Sequence, residues 1–222
     1  MKLLQRVVGP ISTNLYVLAD EPSREAIAID TATPCVGWLT ETLAERGWTL
    51  KLIVSTHRHW DHIGDNAAVA EATGAQIAAH ILDRHGLIDP MGNSRADAQA
   101  ARRDLPFEIP PSVPAVDLEE RSRIRFGEIE LEVLHTPGHT EGSVCLLAGS
   151  ERLLFTGDTL FAQGWGRTDL PGGSDAQMIE SLARLSSLAP DLRVLPGHGS
   201  QTTLEREQRW LAAVGQDRRL PF

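Results

Sequence analysis

Residues 56–62, THRHWDH, put three histidines and an aspartate into six positions, directly behind the apolar run KLIVS. No other feature narrows so far what the chain can fold into. Four such side chains beside a buried strand have no packing rationale, and each one buried without a partner would cost about 1–3 kcal/mol. A metal ion that takes their lone pairs removes that cost. His57 and His59 stand two apart, and in extended backbone residues i and i+2 point the same way, so both imidazoles can face one ion. Asp61 and His62 fall where the chain turns into a helix and point to another quadrant. One short loop can thus feed two adjacent metal positions.

A site of this type needs more donors than the loop supplies to each ion. Three further candidates stand in turn-like contexts: His139 in HTPGHTEGS, Asp158 in LLFTGDTLF and His198 in VLPGHGS. Each follows an apolar run and adjoins glycine, which lets the backbone bend sharply and leaves room beside an ion. His80, His85 and His135 lack such a context and read as strand-end or surface histidines.

The rest of the chain sets the frame. Its 222 residues suit one large domain and can bury a substantial core. With 21 basic and 30 acidic side chains, and lysine only at Lys2 and Lys51, the net charge of −9 argues against nucleic acid as a partner. The N-terminal MKLLQRVVGP has no long apolar stretch and no run approaches a membrane span, so neither an export signal nor a membrane anchor is expected. Two distant cysteines, Cys35 and Cys145, fit a cytoplasmic protein with reduced thiols.

LLQRVV, NLYVLA and EAIAID are short β-type runs broken by turn residues. Helical spacing over Trp38 to Arg46 ends at Gly47, and KLIVST suits a strand buried on both faces. DHIGDNAAVAEAT reads as one helix capped by Asp61, followed by the strand AQIAAH. Periodicity weakens over 81–114, with a short helix over Arg95 to Arg103 and turn chemistry around it. This stretch reads as a surface excursion or lid on a single domain spanning 1–222. IRF, IELEVLH, SVCLLA and RLLFT are four more strands. DAQMIESLARLSSL lines up Met178, Ile179, Leu182 and Leu185 on one helical face. LRVLP is a strand and TLEREQRWLAAV a final helix. Strands with helices, then strands with helices again, fit two halves packed sheet to sheet with helices outside.

At these residues the chain resembles the metallo-β-lactamase-fold superfamily. The match runs in order: H-x-H-x-D-H, the histidine of TPGHT, the aspartate of TGDTL and the histidine of PGHG, with GPISTNLYVLAD resembling the family's first strands. The resemblance implies an α+β, four-layer αββα sandwich with two divalent metal ions at one edge. One ion would take His57, His59 and His139, the other Asp61, His62 and His198, and Asp158 would bridge them. Zinc is the usual occupant, and iron and manganese occur in relatives. LLFTGDTLFAQGWGRTDLPGGS and VLPGHGSQTT look most like the glyoxalase II-like hydrolases. The chain departs from the glutathione thioesterases in having one tyrosine, Tyr16, and a short segment after His198.

That resemblance implies a small-molecule substrate, most simply a thioester. Two divalent ions about 3.5–4 Å apart lower the pKa of a shared water to about 7. Asp61 would orient the nucleophile or move a proton, alongside Asp158 as the second catalytic carboxylate. Arg167 would bind a substrate carboxylate or hold a salt bridge within its loop. Trp165 and Trp60 would line the pocket or pack. Asp169 would fix an imidazole or serve its turn. Persulfide dioxygenases share the motif, holding one iron at positions matching His57, His139 and Asp158. Lactonases place a tyrosine where Leu160 and Phe161 stand. β-Lactamases and nucleases match less well.

Overall fold

The structure is a computed structural model that describes residues 1–101, 108–217 and 219–220. Three strands open it: β1 (Lys2–Val8), β2 (Thr13–Asp20) and β3 (Glu25–Ile29). Next come α1 (Val36–Arg46), β4 (Thr49–Val54), α2 (Trp60–Ile63), α3 (Asn66–Thr73) and β5 (Gln76–His80). Helices α4 (Arg84–Ile88) and α5 (Pro90–Ala101) lead to β6 (Val116–Leu118). The second half holds β7 (Arg123–Phe126), β8 (Ile129–His135), β9 (Val144–Ala148) and β10 (Leu153–Gly157). It closes with α6 (Asp175–Leu185), β11 (Arg193–Pro196), β12 (Thr202–Thr203) and α7 (Leu204–Asp217).

The strands form two six-stranded sheets, ordered β1-β2-β3-β4-β5-β6 and β12-β11-β10-β9-β8-β7. β3 to β6 pair in parallel, and so do β10 and β11. Period-two alternation decides which face meets which layer. On β2, Tyr16 and Leu18 enter the core between the sheets, while Leu15, Val17 and Ala19 face the core under α1 and α3. On β10, Leu153 and Phe155 point inward and Leu154 packs under α6 and α7. Three apolar clusters therefore separate four layers in the order helix, sheet, sheet, helix. Burying each large side chain of the middle cluster contributes about 1.5–3 kcal/mol. The Tyr16 and Phe155 rings meet edge-on at 5.3 Å across that cluster, and the Tyr16 hydroxyl donates to Pro196 O at 2.8 Å.

Several boundaries differ from the sequence reading. The helix expected from Asp61 onward is two pieces, because the chain turns at Gly64 and Asp65. Asp61 caps neither piece. Asp65 instead accepts from the Cys35 and Val36 amides at 2.6 and 3.0 Å, and so caps α1 from across the layer. α1 ends as expected, with Gly47 in the left-handed region. β6 and β12 are too short for alternation to register. The helix placed over Arg95 to Arg103 begins earlier, at Pro90, which suits a first helical turn. Arg102 and Arg103 lie outside the described residues. α6 carries the expected buried face of Met178, Leu182 and Leu185, and Ser174 accepts from the Gln177 amide to cap it.

Candidate metal centre

Successive loops at one edge of the sandwich carry the site. His57 to His62 follow β4, His139 lies between β8 and β9, Asp158 follows β10 and His198 follows β11. All seven side chains predicted as ligands converge. His57, His59 and His139 form one donor triad, Asp61, His62 and His198 another, and His57, His62 and Asp158 a third between them; within each triad the donor atoms lie within 4.8 Å of one another. Asp158 Oδ2 lies 3.5 Å from His139 Nε2 and 3.5 Å from His198 Nε2, and its Oδ1 lies 3.4 Å from His62 Nε2. The carboxylate thus faces both outer triads. Asp61 Oδ2 is 3.1 Å from both His62 Nε2 and His198 Nε2.

The residues fit divalent ions on two counts. Nitrogen and carboxylate oxygen are the donor set such ions take. Buried His57 Nε2 and Asp158 Oδ1 have no hydrogen-bond partner among the described residues. A folded chain rarely leaves such atoms orphaned without a reason.

Charge is divided across the cluster. Burial, reinforced by the neighbouring imidazoles, holds His57 well below its ordinary pKa, and burial with His139 does the same for His59. Burial also lowers His139. Each of these shifts favours the neutral ring, the form that can ligate an ion. Burial would lower His62 too, but Asp61, Asp158 and Asp30 outweigh it and raise it well above the ordinary value. His198 is raised in the same way, its burial overcome by Asp61 and Asp158. Burial alone would raise Asp61, yet His62 and His198 hold it well below the carboxylate range.

A surrounding set of groups fixes the rings, and most of it was not foreseen. Asp30, after β3, lies 2.8 Å from His62 Nδ1 and accepts from the Thr56 amide at 2.7 Å and the Thr56 hydroxyl at 2.8 Å. The Thr56 hydroxyl also sits 3.0 Å from His57 Nδ1. Thr13 Oγ1 donates to Asp61 Oδ2 at 3.0 Å. His139 Nδ1 donates to the carbonyl of Arg167 at 2.6 Å. Outer contacts of this kind set which nitrogen faces the ion. Asp30 follows a buried β run, a position that could have marked it. Asp83 accepts four hydrogen bonds, from the amide and guanidinium of Arg58, the Thr140 hydroxyl and the Gly142 amide, at 2.7–2.9 Å. It joins the His57–His62 loop to the His139 loop.

Two close approaches require glycine. Gly157 sits at φ +47°, and a Cβ there would lie 2.5 Å from Thr56 Oγ1. A Cβ on Gly197 would strike Asp158 Oδ1 and lie 2.7 Å from His62 Cε1.

The expected substrate contacts are placed differently. Arg167 donates twice to Asp169, at 2.7 and 2.8 Å, on the surface. The salt-bridge alternative therefore describes its side chain here, while its carbonyl serves His139. Asp169 holds no imidazole; Asp30 and the Arg167 carbonyl take that part. Trp165 is half-buried against Trp210 at 5.7 Å, in the cluster under α6 and α7, and Trp60 packs against the other helix layer.

Of the remaining histidines, His85 is exposed. His80 is buried and stacks on His135 at 4.1 Å with an interplanar angle of 12°. Burial, with His135 close by, brings His80 down to about 4 from an ordinary 6.5. The unfolded chain then takes up the proton first as pH falls, so stability drops between about 6.5 and 4 and levels out below. Melting temperatures across that window should fall less steeply for His80→Gln than for the unaltered protein; equal slopes would refute the assignment.

Comparison with known proteins bears on this centre. The metallo-beta-lactamase superfamily profile matches residues 8–198, which takes in all seven donors. The hydroxyacylglutathione hydrolase of Cereibacter sphaeroides (strain ATCC 17025 / ATH 2.4.3) is 36% identical over 197 residues, covering 88% of this chain and 66% of that protein. The chain thus spans just under two thirds of that relative's length. The crystal structure of BLEG-1 B3 metallo-beta-lactamase superposes with a TM-score of 0.85 at 31% identity, covering 96% of this chain and 99% of that one. TTHA1623, crystallised in a di-iron-bound form, gives 0.78 at 35% identity, covering 93% and 97%. The ordered donors, the four-layer sandwich that gathers them and these matches together place the chain in the metallo-β-lactamase superfamily of metal-dependent hydrolases.

Proposed function

We propose that this protein is a binuclear metallohydrolase that cleaves a thioester, in the manner of the hydroxyacylglutathione hydrolases it is similar to. The observation that carries the reading is the position of Asp158, whose carboxylate faces two complete donor triads at once. His57, His59 and His139 would hold one divalent ion, and Asp61, His62 and His198 the other. When bound, ions at such a centre acidify a water and polarise a carbonyl.

The chain's own groups then do the rest. Asp61 is held by Thr13 Oγ1 at 3.0 Å, so its carboxylate can orient the attacking water. A thiolate leaves with little acid assistance, which suits a thioester. Arg167 would release Asp169 to bind a substrate carboxylate, since a guanidinium fork suits that geometry. Zinc is the proposed occupant; the di-iron form of TTHA1623 supports iron as the alternative. We place the protein in the cytoplasm with a small-molecule substrate. No helix among the described residues is long and apolar enough to cross a membrane, and Cys35 and Cys145 are buried free thiols.

Metal quantification on purified protein, paired with thioester, lactone, β-lactam and persulfide substrates, tests the reading. Two ions per chain and turnover of thioesters are expected, with Arg167→Ala raising KM for carboxylate-bearing thioesters. One iron per chain with oxygen consumed on persulfide would establish an oxidoreductase instead. Lactone or β-lactam turnover without thioester turnover would keep hydrolysis and replace the substrate class.

A further inference from the structure

The outward nitrogen of His59 has no assigned partner, and α5 supplies the chemistry for one. His59 Nδ1 points at His139 Nε2, 2.8 Å away, so Nδ1 is the nitrogen turned to the first triad. Nε2 points the other way. It is buried and has no hydrogen-bond partner among the described residues. Asp97 Oδ2, on α5, lies 3.7 Å from it. That is beyond hydrogen-bond length, but a small rotation of either side chain closes it.

Asp97 is itself buried and held in place. Asn93, one turn earlier on α5, donates its amide to Asp97 Oδ2 at 3.0 Å and accepts from Arg58 Nε at 2.8 Å. The Arg58 guanidinium donates onward to Asp83 and to the Pro171 carbonyl, both at 2.7 Å. The carboxylate is therefore tied to the donor loop itself. Its Oδ1 has no hydrogen-bond partner among the described residues, so acceptor capacity remains. A carboxylate this deeply buried needs such a donor to offset its desolvation.

We propose that Asp97 is a positioning residue that takes the Nε2 proton of His59 and so commits Nδ1 to the ion held with His57 and His139. The proposal rests on the metal-centre reading above. His59 Nδ1 and His139 Nε2 face each other at 2.8 Å. An ion between these nitrogens requires lone pairs on both, because His139 already donates from Nδ1 to the Arg167 carbonyl. The His59 proton must then sit on Nε2, where Asp97 accepts it. The stretch 81–114 would thereby contribute to the centre through α5.

Zinc titration of the metal-free protein against a chromophoric chelator tests this, combined with imidazole N–H spectra of the zinc-loaded form. The unaltered protein should bind two ions and show one slowly exchanging, downfield imidazole proton that Asp97→Asn removes or shifts. Asp97→Asn and Asp97→Ala should weaken one of the two sites about 10–100-fold and leave the other unchanged. Ser94→Ala, a change at another buried position of α5, should alter neither readout. Asp97→Asn keeps the side-chain shape and serves if the alanine variant does not fold. Wild-type affinities and an unshifted proton in Asp97→Asn would overturn the proposal while leaving the metal centre intact, as would equal weakening by Ser94→Ala. An unaltered protein that binds no divalent ion would overturn both readings.

Discussion

Replacing Asp158 with alanine should abolish turnover while the protein stays folded. The carboxylate stands 3.4–3.5 Å from His62 and His198 of one donor triad and from His139 of another. No other side chain among the described residues faces all three rings in this way. Its removal leaves two half-sites with no shared anion between them. The expected loss exceeds about 10³-fold, the upper range for deleting one preorganised stabilising group from an active site. The fold should survive, because Asp158 lies beyond the end of β10 and its Oδ1 has no hydrogen-bond partner among the described residues. Initial rates with a thioester, read beside circular dichroism of the same sample, decide the matter. Full turnover in a folded variant would remove the two-ion mechanism.

Asp83→Ala should be the most destabilising single change near the centre. Asp83 is fully buried, and its two oxygens take the Arg58 guanidinium at 2.7 Å and three further donors. Deleting it strands a buried cation and orphans the Arg58 and Gly142 amides. Breaking a buried pair from one side costs about 3–5 kcal/mol. For a domain of this size that corresponds to a fall in Tm of roughly 6–20 °C. Thermal denaturation of the two proteins side by side gives the answer. A Tm within a degree or two of the original would mean that the Arg58–Asp83 pair does not hold the loops together.

The convergent donor cluster of this chain was legible because its chemistry is concentrated. THRHWDH cannot be explained by packing, and three glycine-flanked donors after apolar runs supply the rest. The sheets were legible where alternation is long enough to see, as on β2 and β8. β6, with three residues, and β12, with two, fall below that length. Asp61 read as a helix cap because a cap and a ligand occupy the same kind of position, at the mouth of a helix. The grouping of Asp61 with His62 and His198, implied by the family resemblance, matches its oxygen's position 3.1 Å from both rings. Asp30, Asp83 and Asp97 were not legible for a different reason. Each is one carboxylate in an unremarkable local context, and each acquires its role from residues at least 25 positions away. Arg167 and Asp169 were read as independent candidates, and their mutual pairing follows from a loop conformation that spacing alone does not give.

The split of the donors between the two layers has a consequence for how the molecule matures. Four of them lie on the loop after β4 of the first sheet, and His139, Asp158 and His198 belong to the second. Neither half can chelate as the whole does. On the proposed function, ion capture would be a late event in biogenesis: it would wait until synthesis has passed residue 198 and the two layers have closed on each other. A nascent chain stalled before that point would present the THRHWDH loop without its counterpart.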